Sequence, residues 1–431
     1  MWTHRLCSGL WPVQYDALRQ APDGSDVYLR AQPLRRLQDH VRDREDPVYE
    51  GEHGGSSGRA GHSEKMKKIV ILINDTTYAY NLRGAIIQRL IEANYDVVIV
   101  GQLLEHQEKL KKMGARLIGV HTGRHGKNPF ADLSLLLQYR RILKNENPDV
   151  VLTYNIKPNV YGGMACQNLH IHYLPNVTGL GTPVEIPGLM QKLTIRLYKI
   201  GVAGADCVFF QNTDNLKFFK KHGMLKQEAR TRVLPGSGVD LEKYKLLPWH
   251  DGKVHFLFVA RVMKEKGIDL FLAAAHQFAS NDVIFDICGA CDDPKYLQIL
   301  KNDPKVVYHG PQKDLRFYYE KCSCFLYPSY YPEGMSNVLL EAAASGRPVV
   351  AADRPGCRET LEDGVTGFLV PVNDVGAVLQ AIEKFLQMSR DERKQMGISG
   401  RERVQKIFDR KIVVDAYIDE IDKVMKGFIT K

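Results

Sequence analysis

The sequence lacks several features that would assign it to a common class of protein. It contains no apolar run of about 18 residues, so we predict no membrane-spanning helix. No long apolar core follows a basic start, as a secretory signal would require. The eight cysteines are scattered, which favours a reducing cytoplasm over a disulfide-stapled fold. No basic block carries interleaved aromatic residues, so nucleic acid is not an expected partner.

The charge balance points to anionic partners instead. Lysine and arginine number 59 against 50 aspartates and glutamates, which gives a net charge of +9. Such a surplus suits nucleotide diphosphates or an anionic membrane surface. Apolar residues make up 44% of the 431 residues, which is typical of a globular protein with two or three domains.

Residues 1–65 differ in composition from the rest of the chain. They hold clusters of charged and glycine residues with no sustained period, which predicts a disordered or atypical N-terminal extension. Two interpretations stay open: Met66 is the natural start, or the preceding segment is a flexible tail. Neither gives this segment a catalytic role.

From Met66 onwards, apolar strand-like runs alternate with helical segments of 10–15 residues. This alternation predicts doubly wound parallel sheets of the α/β class. It restarts after a loop near residues 240–251, so we expect two Rossmann-like domains, 66–240 and 241–410, and a C-terminal helix, 411–431, that crosses back. Ligands in such sheets bind at the carboxyl ends of the strands, which places the site in a cleft between the domains.

Two carboxylates stand out in the segment Pro328–Ala352. Glu333 falls on a loop just before a predicted helix, and Glu341 falls about two turns into that helix, roughly 12 Å further on at 1.5 Å per residue. Backbone N–H groups between them are available for anionic oxygens. These groups belong to Gly334, Met335 and Ser336. The alternative is a capping glutamate followed by an exposed helical one.

Two cations follow a strand at the start of the second predicted domain. Arg261 and Lys266 come directly after the strand His255–Ala260 and before a helix, which is a favourable position for a diphosphate. The alternative is a solvated basic loop. The segment Gly236–Asp240 (GSGVD) ends the first domain, and its glycines allow a close backbone approach.

Together these motifs resemble the retaining GT-B glycosyltransferases of family 4, from Met66 to the C-terminus. The resemblance implies that Glu333 contacts a donor-sugar hydroxyl and Glu341 the ribose, while Arg261 and Lys266 clamp the diphosphate. It also implies retention without a covalent nucleophile and without a metal or cofactor. Further donor contacts are expected from Gly238, Gly334, Met335, Ser336 and Asn337.

The first domain carries the expected acceptor contacts. The segments Thr153–Pro158 (TYNIKP) and Asn176–Gly181 (NVTGLG) each follow a strand and resemble a bacterial branch of the family that acts on polyprenyl-diphosphate-linked acceptors. We assign Lys157, Thr178 and Asn81 to the acceptor side. The first strand-to-helix loop departs from the family by lacking paired glycines, and Tyr78 or Arg83 are alternatives to Asn81 there.

Two further segments leave alternatives open. The helix within Ile186–Val202 has an apolar face and interspersed lysines and arginine, which fits either an anionic lipid surface or a core-facing helix. The cysteines of Cys288–Cys291 and Cys322–Cys324 lack a common zinc-finger spacing, so we favour buried small side chains over a metal site.

We therefore predict a cytoplasmic, metal-independent retaining glycosyltransferase, peripheral at the inner membrane. It would move a hexose or N-acetylhexosamine from a UDP-sugar to a lipid-linked saccharide in capsule or O-antigen assembly. Alternatives are a GT-B UDP-N-acetylhexosamine epimerase and a non-catalytic sugar-nucleotide-binding protein. A dinucleotide-binding oxidoreductase is disfavoured because no G-x-G-x-x-G follows the first strand.

Overall fold

A computed structural model provides the architecture, and it describes residues 66–120, 129–181, 184 and 187–427. The predicted N-terminal extension, residues 1–65, lies outside the described residues. Within the described part, the α/β prediction of two doubly wound parallel sheets is confirmed.

The first lobe is built on a seven-stranded parallel sheet in the order β3-β2-β1-β4-β5-β6-β7. Its central strands are runs of Val, Ile and Leu buried on both faces, as expected for a sheet covered by helices on both sides. The strands are β1 (Lys68–Asp75), β2 (Asp96–Gln102), β3 (Arg116–Gly119), β4 (Val150–Tyr154), β5 (His172–Val177), β6 (Val208–Phe210) and β7 (Thr231–Val233).

Helices connect these strands on the two faces of the sheet. They are α1 (Thr76–Glu92), α2 (Gln107–Lys112), α3 (Pro129–Glu146), α4 (Gly163–Leu169, preceded by a π-helical turn at Pro158–Gly162), α5 (Leu189–Val202) and α6 (Thr213–Lys221). Helices α4 and α5 pack closely through glycines. A Cβ on Gly163 of α4 would lie 2.0 Å from the carbonyl oxygen of Gly201 in α5, so only glycine fits there.

The second lobe contains a six-stranded parallel sheet in the order β10-β9-β8-β11-β12-β13. Its strands are β8 (Val254–Val259), β9 (Val283–Cys288), β10 (Val307–Tyr308), β11 (Cys324–Tyr327), β12 (Val349–Ala352) and β13 (Gly367–Val370). Its helices are α7 (Ile268–Phe278), α8 (Pro294–Asn302), α9 (Arg316–Lys321), α10 (Asn337–Ala344), α11 (Val375–Gln387) and α12 (Arg390–Ile407). Cys288, Cys322 and Cys324 are buried in its core.

The last helix, α13 (Arg410–Met425), packs on the first lobe. Its buried Tyr417 and Ile421 belong to the same core cluster as the strands β1 and β4. The chain returns beside its earlier crossing, because Val239 pairs with Asp409 in a parallel bridge. The two lobes are therefore joined by two adjacent segments of chain.

The structure corrects the predicted helices in several places. The apolar pattern predicts the first helix over Leu82–Ala93, but helix α1 begins at Thr76, because the side chain of Asp75 caps it by accepting from the Tyr78 N–H. Helices α6, α9 and α12 were not predicted. The sequence of α12 is strongly charged and shows no apolar stripe.

Helix α5 also differs from its core-facing interpretation. The side chains that it buries include Tyr198 and Val202, which belong to a core cluster of the first lobe. The predicted apolar face is largely exposed, including Leu189 at 82%. The core-facing interpretation is therefore wrong for this face. No helix among the described residues is long and apolar enough to cross a membrane.

Candidate active site

Glu333 and Lys266 meet at the carboxyl edge of the second sheet. The Lys266 ammonium donates to Glu333 Oε1, and it also donates to the Tyr327 hydroxyl at 3.1 Å. The Tyr327 hydroxyl in turn donates to the same carboxylate oxygen at 2.6 Å. The ammonium also lies 4.5 Å from the centre of the Tyr331 ring, within cation–π range. The cluster is shielded from water, because Lys266 is only 8% exposed.

Local backbone geometry brings the two loops together. Gly267 adopts a left-handed conformation at φ +81°, and a Cβ there would lie 2.4 Å from the carbonyl oxygen of Pro328. The N–H of Tyr330 donates to the carbonyl of Glu265 at 2.9 Å. The turn that carries Lys266 is thus fastened to the loop that carries Glu333. Lys266 is therefore part of an ordered contact, which excludes a solvated basic loop for this residue.

Glu341 lies on α10 in a second, separate environment. The Tyr319 hydroxyl donates to its Oε2 at 3.1 Å, and the Tyr244 hydroxyl also interacts with it. Burial raises the pKa of the Glu341 carboxyl, although Lys243 and Arg410 partly oppose this effect. Glu341 is therefore not the exposed helical glutamate of the alternative interpretation.

In the turn before α10, one of the backbone N–H groups expected to be free is already hydrogen-bonded. The Ser336 N–H donates to the carbonyl of Gly356 at 2.8 Å, so this group is not free for a ligand. In contrast, Ser336 Oγ and Asn337 Oδ1 are buried and make no hydrogen bond among the described residues. These two side-chain oxygens, at the N-terminus of an eight-residue helix, are available to a bound ligand.

The glycines of the first-lobe exit loop are required by packing. Gly238 has φ +65°, and a Cβ there would lie 2.5 Å from the Cα of Arg410. Gly236 packs in the same way on Met335, which a Cβ would approach to 2.6 Å. A backbone contact from Gly238 to a donor stays a prediction, since the close contact seen here is with Arg410.

The cation Arg261 has a different environment from Lys266. It follows β8, is exposed, and makes no side-chain hydrogen bond or ion pair with the described residues. It is thus accessible to an anionic ligand at the same edge of the sheet. Its role in binding a diphosphate stays a prediction.

The predicted acceptor residues occupy different parts of the first lobe. Lys157 forms an ion pair of 3.0 Å with Asp132, which also accepts from the Tyr161 hydroxyl at 2.9 Å. Asn81 is exposed on α1. Thr178 lies against the donor loop, since its carbonyl oxygen would be 2.0 Å from a Cβ on Gly334.

Arg83 is buried and has partners within the first lobe. It is 3% exposed, stacks over the ring of Tyr154 at 4.4 Å and donates to Ser237 Oγ at 3.1 Å. Arg83 therefore ties α1 to the exit loop of the first lobe, and an acceptor contact from this residue stays a prediction.

Several residues of the site were missed from the sequence. The tyrosines that hold the two carboxylates (Tyr327 for Glu333, and Tyr319 and Tyr244 for Glu341) lie in strand, helix or linker segments without a motif. Asn212 was also missed, although it donates to the carbonyl of Gly334 at 2.6 Å from the other lobe. The sequence signal that could have found it is an N-cap residue type two positions after the strand β6.

Two doubly wound parallel-sheet lobes joined by adjacent chain segments have the architecture of a GT-B glycosyltransferase, and the cluster of Glu333 and Lys266 is its candidate active site. Sequence profiles of known families agree with this class. The profile described as "Glycosyl transferase 4-like" matches residues 68–212, and the profile described as "Glycosyl transferases group 1" matches residues 253–388. Together they match about two-thirds of the chain. The chain therefore belongs to the glycosyltransferases that these two profiles describe.

Two curated relatives match over nearly their whole length. The chain is 26% identical over 368 residues, 81% of this chain and 96% of the relative, to the N,N'-diacetylbacillosaminyl-diphospho-undecaprenol alpha-1,3-N-acetylgalactosaminyltransferase of Campylobacter jejuni. It is 26% identical over 376 residues, 81% of this chain and 95% of the relative, to the capsular polysaccharide biosynthesis glycosyltransferase CapM of Staphylococcus aureus. A third relative, the UDP-Gal:alpha-D-GlcNAc-diphosphoundecaprenol alpha-1,3-galactosyltransferase of Escherichia coli, is 26% identical over 323 residues, 67% of this chain and 80% of the relative.

Solved structures share the fold at lower identity. Sucrose-phosphate synthase from Thermosynechococcus elongatus superposes with a TM-score of 0.69 at 19% identity, covering 84% of this chain and all of the other. Anabaena HepE, in complex with UDP and glucose, superposes with a TM-score of 0.67 at 17% identity, covering 82% and 98%. These likenesses confirm the predicted GT-B fold.

Proposed function

We propose that this glycosyltransferase moves a hexose or N-acetylhexosamine, with retention, from a UDP-sugar to a polyprenyl-diphosphate-linked saccharide. The observation that carries the proposal is the shielded cluster of Glu333, Lys266 and Tyr327 beside the N-terminus of α10. The second carboxylate, Glu341, lies further along the same helix. Relatives whose names specify diphospho-undecaprenol acceptors support the choice of acceptor.

The donor's diphosphate would occupy the carboxyl edge of the second sheet. Arg261 is accessible there, and Lys266 supplies a second positive charge whose carboxylate partner is Glu333. As the glycosidic bond breaks, negative charge grows on the departing phosphate, and fixed cations stabilise that charge without a metal ion. Ser336 Oγ and Asn337 Oδ1 supply further polar contacts.

Glu341 would accept hydrogen bonds from the ribose diol. Its carboxylate is already ordered by the Tyr319 and Tyr244 hydroxyls, so the diol would meet a fixed acceptor rather than a mobile side chain. Preorganisation of this kind lowers the entropic cost of binding. Gly238 and the turn Gly334–Met335 would approach the donor with backbone atoms.

Retention follows from a transfer on one face of the sugar. The acceptor hydroxyl forms the new bond to the anomeric carbon as the bond to the phosphate oxygen breaks, and the hydroxyl proton passes to that departing oxygen. In this scheme Glu333 holds a sugar hydroxyl and is not a nucleophile, so catalysis is mainly positioning and charge stabilisation. The relatives' names both specify alpha linkages.

The acceptor would enter from the first lobe. Lys157 would contact the acceptor's phosphate by exchanging its Asp132 partner for the ligand, and Asn81 and Thr178 would contact the saccharide. Lysine suits this task because its ammonium is a compact point charge on a flexible stem.

The same lobe offers a surface suited to an anionic membrane. Helix α5 exposes Leu189, Met190 and Leu193 together with basic residues. The basic residues are Lys192, Arg196 and Lys199. An amphipathic helix with this composition binds anionic lipid through apolar burial and electrostatic attraction. We propose peripheral attachment through α5, which would bring the cleft to a lipid-linked acceptor.

The proposal is tested with purified protein, a panel of UDP-sugars and a synthetic polyprenyl-diphosphate-linked N-acetylhexosamine, with products read by mass spectrometry. The expected result is addition of one sugar, in the presence of EDTA, by the wild type and not by Glu333→Gln. Absence of product with every donor would overturn the proposal. Conversion of UDP-N-acetylhexosamine without acceptor would support the epimerase instead.

A further inference from the structure

The start of helix α6, in the first lobe, contacts the loop of the second lobe that carries Glu333. Asn212 Nδ2 donates to the carbonyl of Gly334 at 2.6 Å and lies 3.5 Å from the carbonyl of Glu333. Asn212 is 2% exposed, so this bond is protected from water. A weaker contact lies nearby, where Asp214 and Arg358 approach to 3.7 Å across the lobes.

The orientation of the Asn212 side-chain amide is fixed by the hydrogen bond that its oxygen, Oδ1, accepts. Asn212 is the N-cap of α6, and its Oδ1 accepts from the Asn215 N–H at 2.8 Å. A rotated amide would place an NH₂ group against that N–H and lose the cap. The donating Nδ2 must therefore face Gly334, and the bond between the lobes is specified by the helix cap.

The peptide that Asn212 contacts is confined from another side by the first lobe. A Cβ on Gly334 would lie 2.0 Å from the Thr178 carbonyl oxygen, so the loop after β5 touches this peptide directly. From the second lobe, the Gly356 carbonyl receives the N–H of Ser336. The backbone at Glu333–Gly334 is therefore placed by both lobes, although its side-chain partners, Lys266 and Tyr327, come from the second lobe alone.

We infer that Asn212 is a positioning residue for transfer, which sets the backbone of Glu333 only when the two lobes are docked. It touches neither nucleotide nor sugar in this scheme. The nucleotide contacts proposed for Glu341 and Arg261 do not depend on it, since both residues belong to the second lobe, and Ser336 is held separately by its hydrogen bond to the Gly356 carbonyl. Loss of the bond should therefore lower turnover while leaving UDP affinity unchanged. This inference rests on the role proposed for Glu333.

Two substitutions separate this role from the helix cap. Aspartate and serine at position 212 both cap a helix well, so α6 should remain intact. Neither can donate an amide hydrogen to the Gly334 carbonyl, and aspartate also adds a repelling charge. A displacement of about 1 Å at a reacting group can cost about 100-fold in rate. The matched control is Asp214→Asn, which removes the charge from the partly exposed contact with Arg358 and leaves the Asn212 bond in place.

The test compares kcat, donor KM, UDP affinity and Tm for wild type, Asn212→Asp, Asn212→Ser and Asp214→Asn. We expect kcat to fall about 10- to 100-fold in both Asn212 variants. Their UDP affinity and Tm should stay close to those of the wild type. Asp214→Asn should resemble the wild type in all four quantities. An active wild type whose Asn212 variants keep their kcat overturns this inference alone. A parallel loss of UDP affinity and Tm assigns Asn212 a structural role and overturns it too. A wild type that transfers no sugar from any donor overturns the proposed function, and the inference falls with it.

Discussion

Lys266 and Glu333 form a partly buried ion pair that shares one carboxylate oxygen with the Tyr327 hydroxyl. Both side chains are thus ordered before any ligand is bound, and neither is exposed by more than 16%. A buried pair of this kind contributes little net stability, but breaking it from one side leaves an uncompensated charge. The pair is therefore better explained by function than by folding.

The first prediction concerns the coupling of this pair. Lys266→Met should destabilise the fold by about 1–3 kcal/mol, because Glu333 loses its cation in a shielded site. Adding Glu333→Gln should recover part of that loss, since the remaining polar groups are neutral. Urea unfolding of the two single variants and the double variant measures the coupling. Strictly additive free energies of unfolding would contradict the pairing.

The second prediction concerns pH and Glu341. Burial raises the folded-state pKa of this carboxyl above its ordinary value of 4.5, so the folded state binds its proton more tightly than the unfolded state does. The stability that this carboxyl contributes is therefore fully present below its ordinary pKa of 4.5. It is lost as the pH rises through the higher folded-state pKa. Glu341→Gln should remove this decline, and its Tm relative to wild type should rise between pH 4.5 and neutral pH. A difference in Tm that does not vary with pH would refute this.

The third prediction uses two glycines in unlike surroundings. Gly334→Ala should abolish transfer, because the new methyl group would meet the Thr178 carbonyl at 2.0 Å. Gly84 is the matched control: it lies within α1, and a Cβ there meets nothing within 4 Å. Gly84→Ala should stabilise the protein by about 0.5–1 kcal/mol and retain activity. Comparable losses of activity in both variants would argue against close docking at Gly334.

The fourth prediction concerns the membrane surface. Leu189→Gln combined with Leu193→Gln should weaken binding to vesicles that contain anionic lipid, since both side chains are exposed on α5. The control is Val365→Gln, at an exposed apolar residue of the second lobe. Vesicle co-sedimentation measures the effect. If both proteins bind vesicles equally well, α5 is not the attachment surface.

The sequence was sufficient to predict the architecture, because apolar strand runs and amphipathic helices follow from local periodicity. It failed where local signals were weak or were not used. Helix α12 carries a capping box between Ser389 and Glu392, a readable signal that its lack of an apolar stripe obscured. The start of α1 was similarly marked by Asp75, an N-cap residue.

The side-chain partners within the site could not be predicted in this way. Lys266 and Tyr327 are 61 residues apart, and Asn212 and Gly334 are 122 residues apart, so no local pattern relates them. Such contacts depend on the register of the strands and on how the two lobes dock. The sequence indicated which carboxylates and cations to examine, whereas the structure supplied the tyrosines and the asparagine that hold them.

The most direct test of a nucleotide site that needs no metal ion is calorimetric titration of UDP in the presence of EDTA. We predict that the wild type binds UDP without a divalent cation, and that Glu341→Gln binds at least about tenfold more weakly, since it loses a charge-assisted acceptor for the ribose. Failure of the wild type to bind UDP under these conditions, or equal affinity in the two proteins, would contradict the proposal.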